Sequence, residues 1–260
     1  MYNLAIVQAR MGASRLPNKV LKKLEDKVVI WHVINRISKS NFIDEVVVAT
    51  TYQKDDLKII KYCAEQGIRV FAGSEEDVLD RYYQVAKLFK PDNVVRITAD
   101  CPLHDAVVID RVIEKHINDD NDYTSNTLEE TFPDGLDCEV MKFSVLEDAW
   151  GEACLFSERE HVTQYIIKNN KYKKGSVINS VNKGFERWTL DTNQDYEFIK
   201  QVFAELYNKK PQFNSDDIYD LLDAKPEIRE INGNISRNEG LLKSIKNDYI
   251  VIPGENFEDG

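Results

Sequence analysis

The 260-residue sequence lacks several features that would place it in a class at once. Its four cysteines show no C-x-x-C spacing, so neither a structural zinc site nor a disulfide framework is expected. No apolar run approaches the length of a membrane span. The first apolar run, Leu4–Val7, is too short for a signal peptide and is soon followed by Arg10. These absences predict a cytoplasmic protein without membrane insertion.

Positive charge is also scarce. The sequence has 34 Lys and Arg against 45 Asp and Glu, which gives a formal net charge of -11 and a pI near 5.0. A nucleic-acid partner would require an extended basic face, so none is expected. Clustered cations therefore stand out against the acidic background, and small anionic ligands remain compatible with the composition.

Short apolar runs alternate with helical stripes through the first half of the chain. This alternation predicts an α/β fold with a mainly parallel sheet flanked by helices. Hydrophobic residues make up 42% of the chain, which is ordinary for a globular protein. We predict one domain over residues 1–210 and a C-terminal helical appendage on the same domain over 211–260. The predicted strands are Leu4–Val7, Val46–Ala49, Ile68–Phe71, Val94–Ile97, Asp137–Phe143, Ser176–Val181 and Arg187–Leu190.

The predicted helices occupy the intervals between these strands. In the first half they carry apolar stripes around Ile30–Ile37, Leu57–Ala64, Val78–Phe89 and Ile109–Ile117. In the second half we expect helices at Val145–Trp150, at Arg159–Ile167 and around Tyr196–Leu206, with short helices beyond Pro211 and a frayed end at Pro253–Gly260.

The loop after the first predicted strand is the most informative segment. It combines backbone donors, a hydroxyl and three cations near the end of a strand, a composition that suits a polyphosphate. Neither G-x-x-x-x-G-K-[ST] nor a three-glycine dinucleotide fingerprint is present. The alternative is a solvated basic loop, but ligands of open α/β sheets bind at such strand ends. The candidate triphosphate-binding residues are Ala9, Arg10, Gly12, Ser14, Arg15 and Lys19.

Two aspartates follow predicted strands and are candidate metal ligands. Asp100 precedes Cys101-Pro102, which forces a turn, and Asp191 follows Trp188-Thr189-Leu190. One or two carboxylates with phosphate oxygens and water are the usual ligands of Mg2+. The alternative for each aspartate is an N-cap of the following helix.

A third candidate segment is Gly73–Asp77, which follows the predicted strand Ile68–Phe71. Gly73 and Ser74 could line the ribose and base of a nucleotide, with Arg81 one turn into the next helix. The alternative is an acidic first helical turn favoured by the helix dipole.

Several motifs together resemble the acylneuraminate and KDO cytidylyltransferase superfamily, and within it the SpsF-like branch of spore coat polysaccharide biosynthesis. The resemblance spans nearly the whole chain. The motifs are Ala5–Arg10, Ser14–Lys19, Phe71–Tyr82, Asp100–Leu103, Pro133–Val140, Arg159–Thr163, Arg187–Thr192 and Asn232–Gly240.

The resemblance implies a nucleotide-diphospho-sugar transferase fold, which is GT-A-like, and often a homodimer. It implies that Arg10, Ser14, Arg15 and Lys19 bind the phosphates of CTP, and that Asp100 and Asp191 hold Mg2+. The chain departs from the KDO branch in carrying Asp-Cys-Pro at 100–102 in place of Asp-Glu-Pro. The residues that match the acceptor side, which would bind a small acidic acceptor, are Asp134, Asp137, Glu139, Arg159 and His161.

The implied activity is transfer of the cytidylyl group of CTP to an acidic sugar or related acceptor, with Lys19, Arg15, Asp100 and Asp191 as catalytic residues. His161 could orient the acceptor or accept its proton, or be structural. A GT-A-type glycosyltransferase is the alternative, although no second carboxylate forms a D-x-D motif at Asp100. A non-catalytic sugar-nucleotide sensor is a further alternative.

Overall fold

A computed structural model describes residues 1–235, 237 and 239–251. Its centre is a seven-stranded sheet with the order β5-β4-β1-β6-β8-β7-β9, in which the first four strands are parallel and β8 is antiparallel to both neighbours. A two-stranded hairpin, β2–β3, stands apart from it. The strands are β1 Asn3–Gln8, β2 Lys23–Leu24, β3 Lys27–Val28, β4 Glu45–Thr51, β5 Arg69–Gly73, β6 Asn93–Thr98, β7 Tyr123–Ser125, β8 Glu139–Lys142 and β9 Lys174–Ser176.

Helices cover both faces of the sheet. They are α1 Val29–Ile37, α2 Leu57–Glu65, α3 Val78–Phe89, α4 Ala106–Asn118, α5 Phe143–Glu152, α6 Phe156–Glu160, α7 Gln164–Lys168, α8 Asn193–Leu206, α9 Ser215–Ala224, α10 Pro226–Glu230 and α11 Glu239–Lys246. No helix in the described part of the chain is long and apolar enough to cross a membrane.

The strand period of two divides the apolar side chains between two cores. In β1, Ala5 and Val7 pack with α1, α2, α4 and α8, whereas Leu4 and Ile6 pack with α3, α5 and α7. Both sets are completely buried, which explains why β1 is a continuous apolar run. β1 is thus packed on both faces up to Val7, close to the loop that carries the first candidate residues.

The four strands and the helices predicted in the first half are confirmed, with boundaries shifted by at most three residues. The strand predicted at Arg187–Leu190 is wrong, because this segment forms only an isolated bridge between Asp134 and Arg187. The strand predicted at Ser176–Val181 is also wrong beyond Ser176, where the chain leaves the sheet and Ile178 and Val181 are exposed. The helix predicted at Arg159–Ile167 is interrupted after α6.

The C-terminal helices share the core of the sheet domain. Phe213, Ile218, Leu222 and Ile228 belong to the same apolar cluster as β1 and α8. The division into 1–210 and 211–260 stays a prediction, and the segment Pro253–Gly260 lies outside the described residues.

Candidate active site

The candidate residues meet where β1 and β6 end. Gln8 is in register with Thr98, and the next amide, of Ala99, donates to the carbonyl of Gln8. Because the two strands are parallel, the loops after them leave the sheet at the same edge. The triphosphate candidates of the first loop and Asp100 are therefore neighbours.

The loop after β1 is fixed by its own backbone and by Asp56. The buried Asp56 carboxylate accepts the Met11 amide at 2.6 Å, and Asn18, in the left-handed conformation (φ 60°), donates its amide to the Met11 carbonyl. Within the described residues, the amides of Gly12 and Ser14 have no acceptor. These N–H groups and the exposed Arg10 suit an anionic ligand.

Lys19 joins the two candidate metal carboxylates. Its ammonium Nζ lies 2.6 Å from Asp100 Oδ2 and 2.7 Å from Asp191 Oδ1. Burial would lower the pKa of Lys19, but the two carboxylates raise it above its ordinary value. Burial would likewise raise the pKa of Asp100, but the charge of Lys19 lowers it to about 2. At neutral pH the site thus holds a charged lysine and an ionised Asp100.

Asp191 is held in place by residues that the sequence did not single out. Asp195, completely buried, accepts the Asp191 amide at 3.0 Å and pairs with Arg187 Nε at 2.9 Å. Arg187 also contacts Asp191 at 3.3 Å. Asp195 forms a capping box with Thr192 at the start of α8, and this reciprocal pattern at three-residue spacing is a sequence signal that could have identified it.

The N-cap alternatives for the two aspartates are wrong. The N-cap of α4 is Asp105, which accepts the Val107 amide, and the N-cap of α8 is Thr192. Asp100 and Asp191 therefore have no capping duty. The neighbouring Cys101 is buried, and burial raises the pKa of its thiol well above the ordinary value.

Arg15 extends the site toward the C-terminal helix α11. Its guanidinium lies 3.3 Å from Asp191 Oδ2 and 2.5 Å from Glu239 Oε2. Arg15 is exposed, so these contacts contribute little stability and can be exchanged for a ligand. The loop after β1 and the C-terminal segment thus meet at the same edge.

The Gly73–Asp77 segment precedes the helix and does not form its first turn. Helix α3 begins at Val78 with Asp77 as N-cap, so the first-turn alternative is wrong for Glu75 and Glu76, which line the cavity described below. Arg81 is buried and donates to the Ser74 carbonyl. Arg81 thus stabilises the turn at Ser74, and it also lines the same cavity.

Of the predicted acceptor-side residues, Asp134 and Asp137 lie near the site but do not line its cavity. Burial and the proximity of Asp137 raise the pKa of Asp134 to about 7, although Arg187 Nη1 lies 2.9 Å from Asp134 Oδ2. Asp137 pairs with Arg237 at 2.8 Å, and burial raises its pKa. Between them, Gly135 (φ 115°) lies against Trp188, where a Cβ would come within 2.6 Å of backbone.

Glu139 and Arg159 also lie outside the cavity lining. Glu139 is buried, accepts hydroxyls from Tyr123 at 2.5 Å and Thr163 at 2.7 Å, and pairs with Arg96. Arg159 binds both carboxylate oxygens of Asp77, with Nε at 3.1 and 3.0 Å from them, and so fastens α6 to the start of α3.

His161 faces the cavity from the end of α6. Its Nε2 lies 3.1 Å from Ser244 Oγ and 3.4 Å from Glu160 Oε2. Next to it, just beyond the end of α6, Val162 has a positive φ of 61°. The histidine is thus placed at the junction of two elements.

These elements surround one cavity of about 1050 Å³. Arg10, Ser14, Arg15 and Lys19 lie on its walls together with Asp100, Asp191, Arg81 and His161. Sequence reasoning missed Arg96, which faces the cavity beside Gln8 and Thr98, and the residues of α11. A charged residue inside an otherwise apolar strand, as Arg96 is in β6, is the signal that could have found the first of these.

A family model described as cytidylyltransferase matches residues 4–225. The chain belongs to the cytidylyltransferase family. This membership favours nucleotidyl transfer over the glycosyltransferase and sensor alternatives. It agrees with the cationic loop and the carboxylates that meet at Lys19.

Relatives cover most of this cytidylyltransferase. An uncharacterised protein of Methanocaldococcus jannaschii is 38% identical over 89% of the chain and 95% of its own length. The spore coat polysaccharide biosynthesis protein SpsF of Bacillus subtilis is 33% identical over 86% of the chain and 95% of its own length. The SpsF-like resemblance is thereby confirmed.

Solved structures confirm the fold. A cytidylyltransferase from Leptospira borgpetersenii superposes with a TM-score of 0.84 at 30% identity, covering 91% of this chain and 98% of that one. A CMP-2-keto-3-deoxy-manno-octonic acid synthetase complexed with CTP has a TM-score of 0.59 at 15% identity, covering 79% and 99% of the two chains. The nucleotidyltransferase architecture thus extends to distant sequences.

Proposed function

We propose that this cytidylyltransferase transfers the cytidylyl group of CTP to a small acidic sugar, with Mg2+ as cofactor. The observation that carries the proposal is the contact of Lys19 with Asp100 and Asp191 beside a loop of free amides and cations. Relatives named 3-deoxy-manno-octulosonate cytidylyltransferase, such as that of Pelobacter propionicus, support an acidic sugar as acceptor. The likeness to SpsF supports a role in surface polysaccharide synthesis.

In the proposed reaction, an acceptor hydroxyl oxygen attacks the α-phosphorus of CTP. The new O–P bond forms as the bond to the bridging α–β oxygen breaks, pyrophosphate leaves with the electron pair, and the hydroxyl proton is released. Arg15, Lys19 and the amides of the loop stabilise charge on the leaving pyrophosphate. His161 orients the acceptor hydroxyl from the cavity wall. Positioning and charge stabilisation therefore supply most of the catalysis.

The residues present fit Mg2+. Two carboxylates, Asp100 and Asp191, lie within hydrogen-bond distance of the same ammonium, and Mg2+ is commonly held by one or two carboxylates with substrate phosphates and water. No group of three or more His, Cys, Asp or Glu side chains suited to a metal occurs in the described residues, so the phosphates must supply ligands. When bound, Mg2+ would neutralise phosphate charge and lower the pKa of the attacking hydroxyl.

We propose that the turn at Gly73 and Ser74 contacts the base and ribose of CTP. This turn lies at the end of β5, and the buried Arg81 fixes the Ser74 carbonyl. The acceptor-side residues fall into two groups. His161 would contact the acceptor, whereas Asp134, Asp137, Glu139 and Arg159 would position the segments around it.

One screen tests the proposed function. The protein is incubated with Mg2+, each of the four nucleoside triphosphates and a panel of acidic sugars, with neutral sugars as controls, and pyrophosphate is measured. We expect pyrophosphate only with CTP and an acidic sugar. Consumption of an intact sugar nucleotide without acceptor-dependent pyrophosphate from any triphosphate would contradict the proposal.

We also propose a homodimer, as the resemblance implies, and a cytoplasmic location, as the absence of a signal peptide and of a membrane-length apolar run predicts. Phe132 belongs to the buried core, whereas Trp150 and Phe156 are partly exposed and stack on Tyr83 and Tyr249 of the same chain. Light scattering coupled to size exclusion measures the molar mass. A monomer at micromolar concentration would contradict the dimer.

A further inference from the structure

Helix α11 turns its polar side toward the cavity. The cavity wall includes Glu239, Lys243 and, just beyond the end of the helix, Asn247, which follow one another at intervals of four residues. Leu242 and Ile245 lie on other sides of the helix and are exposed. A surface helix ordinarily directs its apolar side chains inward. The reversed arrangement indicates that this side of α11 serves the contents of the cavity.

The helix is firmly attached to α6. Asp248 accepts the Ser157 amide at 2.8 Å and its hydroxyl at 2.6 Å, and Ser244 donates to Glu160. Backbone hydrogen bonds continue the attachment from Phe156 to Tyr249 at 2.9 Å. At the start of α11, Glu239 contacts Arg15 of the loop after β1. The helix therefore spans the cavity from that loop to His161.

Lys243 on α11 and Arg10 on the loop after β1 are exposed cations that line the cavity without an ion pair in the described residues, and of these two Lys243 lies on the α11 wall. Lys19 and Arg15 are paired with carboxylates, and the guanidinium of Arg96 is paired with Glu139. Lys243 is exposed to the cavity and forms no ion pair within the described residues. A lysine in this condition binds an incoming anion without first breaking a contact inside the protein.

The position of α11 in the chain separates it from the shared catalytic apparatus. The family model ends at residue 225, and α11 begins at Glu239. The carboxylates and the cationic loop that serve CTP all lie within the matched region. Because α11 lies outside the matched region, it is suited to contact the acceptor, which is the substrate that differs between family members.

We propose that Lys243 binds the carboxylate of the acceptor sugar acid and that the polar side of α11 selects the acceptor. This inference rests on the proposed function. The acceptor lies between α11 and the end of β6, where Thr98 also lines the cavity two residues before Asp100. Its hydroxyl can then approach the phosphate held at Lys19 while its carboxylate contacts Lys243.

Lys243→Met tests the inference, with Lys246→Met as the matched control, because Lys246 is on the same helix, is exposed and does not line the cavity. We expect Lys243→Met to raise the KM for the sugar acid about tenfold, as for loss of one charge-assisted contact, and to leave the KM for CTP within about twofold. Lys246→Met should change neither constant. An unchanged acceptor KM, or a rise confined to CTP, would overturn the inference.

A binding titration separates this inference from the proposed function. The unaltered protein and both variants are titrated calorimetrically with 3-deoxy-manno-octulosonate and N-acetylneuraminate, with mannose as the uncharged control. Weaker binding of a sugar acid to Lys243→Met alone supports the inference even where no turnover is found, in which case the proposed function fails by itself. Equal binding to all three proteins, or no binding of either acid, overturns the inference.

Discussion

The ammonium of Lys19 lies between Asp100 and Asp191, 2.6 and 2.7 Å from their carboxylate oxygens. These carboxylates are carried by segments 91 positions apart in sequence, and one lysine from a third segment joins them. The site is thus assembled around a cation even without substrate. Release of Lys19 toward the triphosphate would free Asp100 Oδ2 and Asp191 Oδ1 for metal, while Asp191 Oδ2 keeps its contacts with Arg15 and Arg187. This exchange couples the binding of nucleotide and metal.

Replacement of Lys19 by methionine is expected to lower kcat about 100- to 1,000-fold, the range for loss of one charge that stabilises a leaving group. Steady-state pyrophosphate release measures this effect. Lys23→Met is the control, because Lys23 is exposed and forms no ion pair within the described residues. Equal rates for the two variants would remove Lys19 from the catalytic site.

Asp100→Asn is expected to abolish turnover and to weaken Mn2+ binding in the presence of CTP at least about tenfold, since side chains that bind a metal directly contribute at least as much as the residues that support them. Electron paramagnetic resonance of free Mn2+ measures the affinity directly. Asp119→Asn, an exposed carboxylate at the end of α4, should leave the affinity unchanged. Undiminished metal binding by Asp100→Asn would exclude Asp100 as a ligand.

Asp195→Asn tests how Asp191 is positioned. The change weakens the pairing with Arg187 and the cap of α8, so we expect a loss of about 2–4 kcal/mol in the free energy of unfolding. Urea denaturation measures it, and Glu197→Gln on the exposed side of α8 is the control. A stability equal to that of the control variant would show that Asp195 has no structural role.

Acid should unfold the protein through its buried histidines. Burial lowers the pKa of His104 and of His116 to about 4. When the pH falls below their ordinary pKa of about 6.5, the unfolded chain therefore binds protons that the native chain does not bind. The stability contributed by the two neutral histidines is therefore fully present above about pH 6.5 and is lost toward pH 4. Between pH 7.5 and 5 each histidine should account for a loss of about 2 kcal/mol.

The replacement His104→Leu isolates this effect, because neither ring nitrogen of His104 has a hydrogen-bond partner among the described residues. The loss of unfolding free energy on acidification should be smaller in the variant. Comparison of variant with parent cancels the opposite contribution of Asp134, whose raised pKa favours the native state at acid pH. An identical pH profile for the two proteins would contradict the assignment.

The sequence predicted those parts of the fold that depend on local periodicity. Buried parallel strands such as β1 read as short apolar runs, and the amphipathic stripes of α1 to α4 identify the helices between them. The segment at Arg187–Leu190 misled the same reasoning. Its apolar residues are buried by packing against Gly135 and Tyr219 and form no ladder of hydrogen bonds.

The candidate site likewise contains residues that local sequence predicts and residues whose roles depend on tertiary contacts. The proximity of Asp100 and of the loop that carries Lys19 was predictable, because each follows a recognisable parallel strand. The role of Asp56 was not, since it acts through a hydrogen bond to the distant Met11 amide that only tertiary structure brings near. The wall formed by α11 depends on contacts between segments more than 80 residues apart.

The reversed helix α11 has a consequence for how the cavity responds to its surroundings. Its apolar side chains contribute little to the core, and its contact with the loop after β1 is an ion pair between two exposed residues, Glu239 and Arg15. Interactions of exposed charges are screened by salt, whereas hydrophobic burial is not. Ionic strength therefore acts on the contact between α11 and the loop after β1 separately from the stability of the sheet.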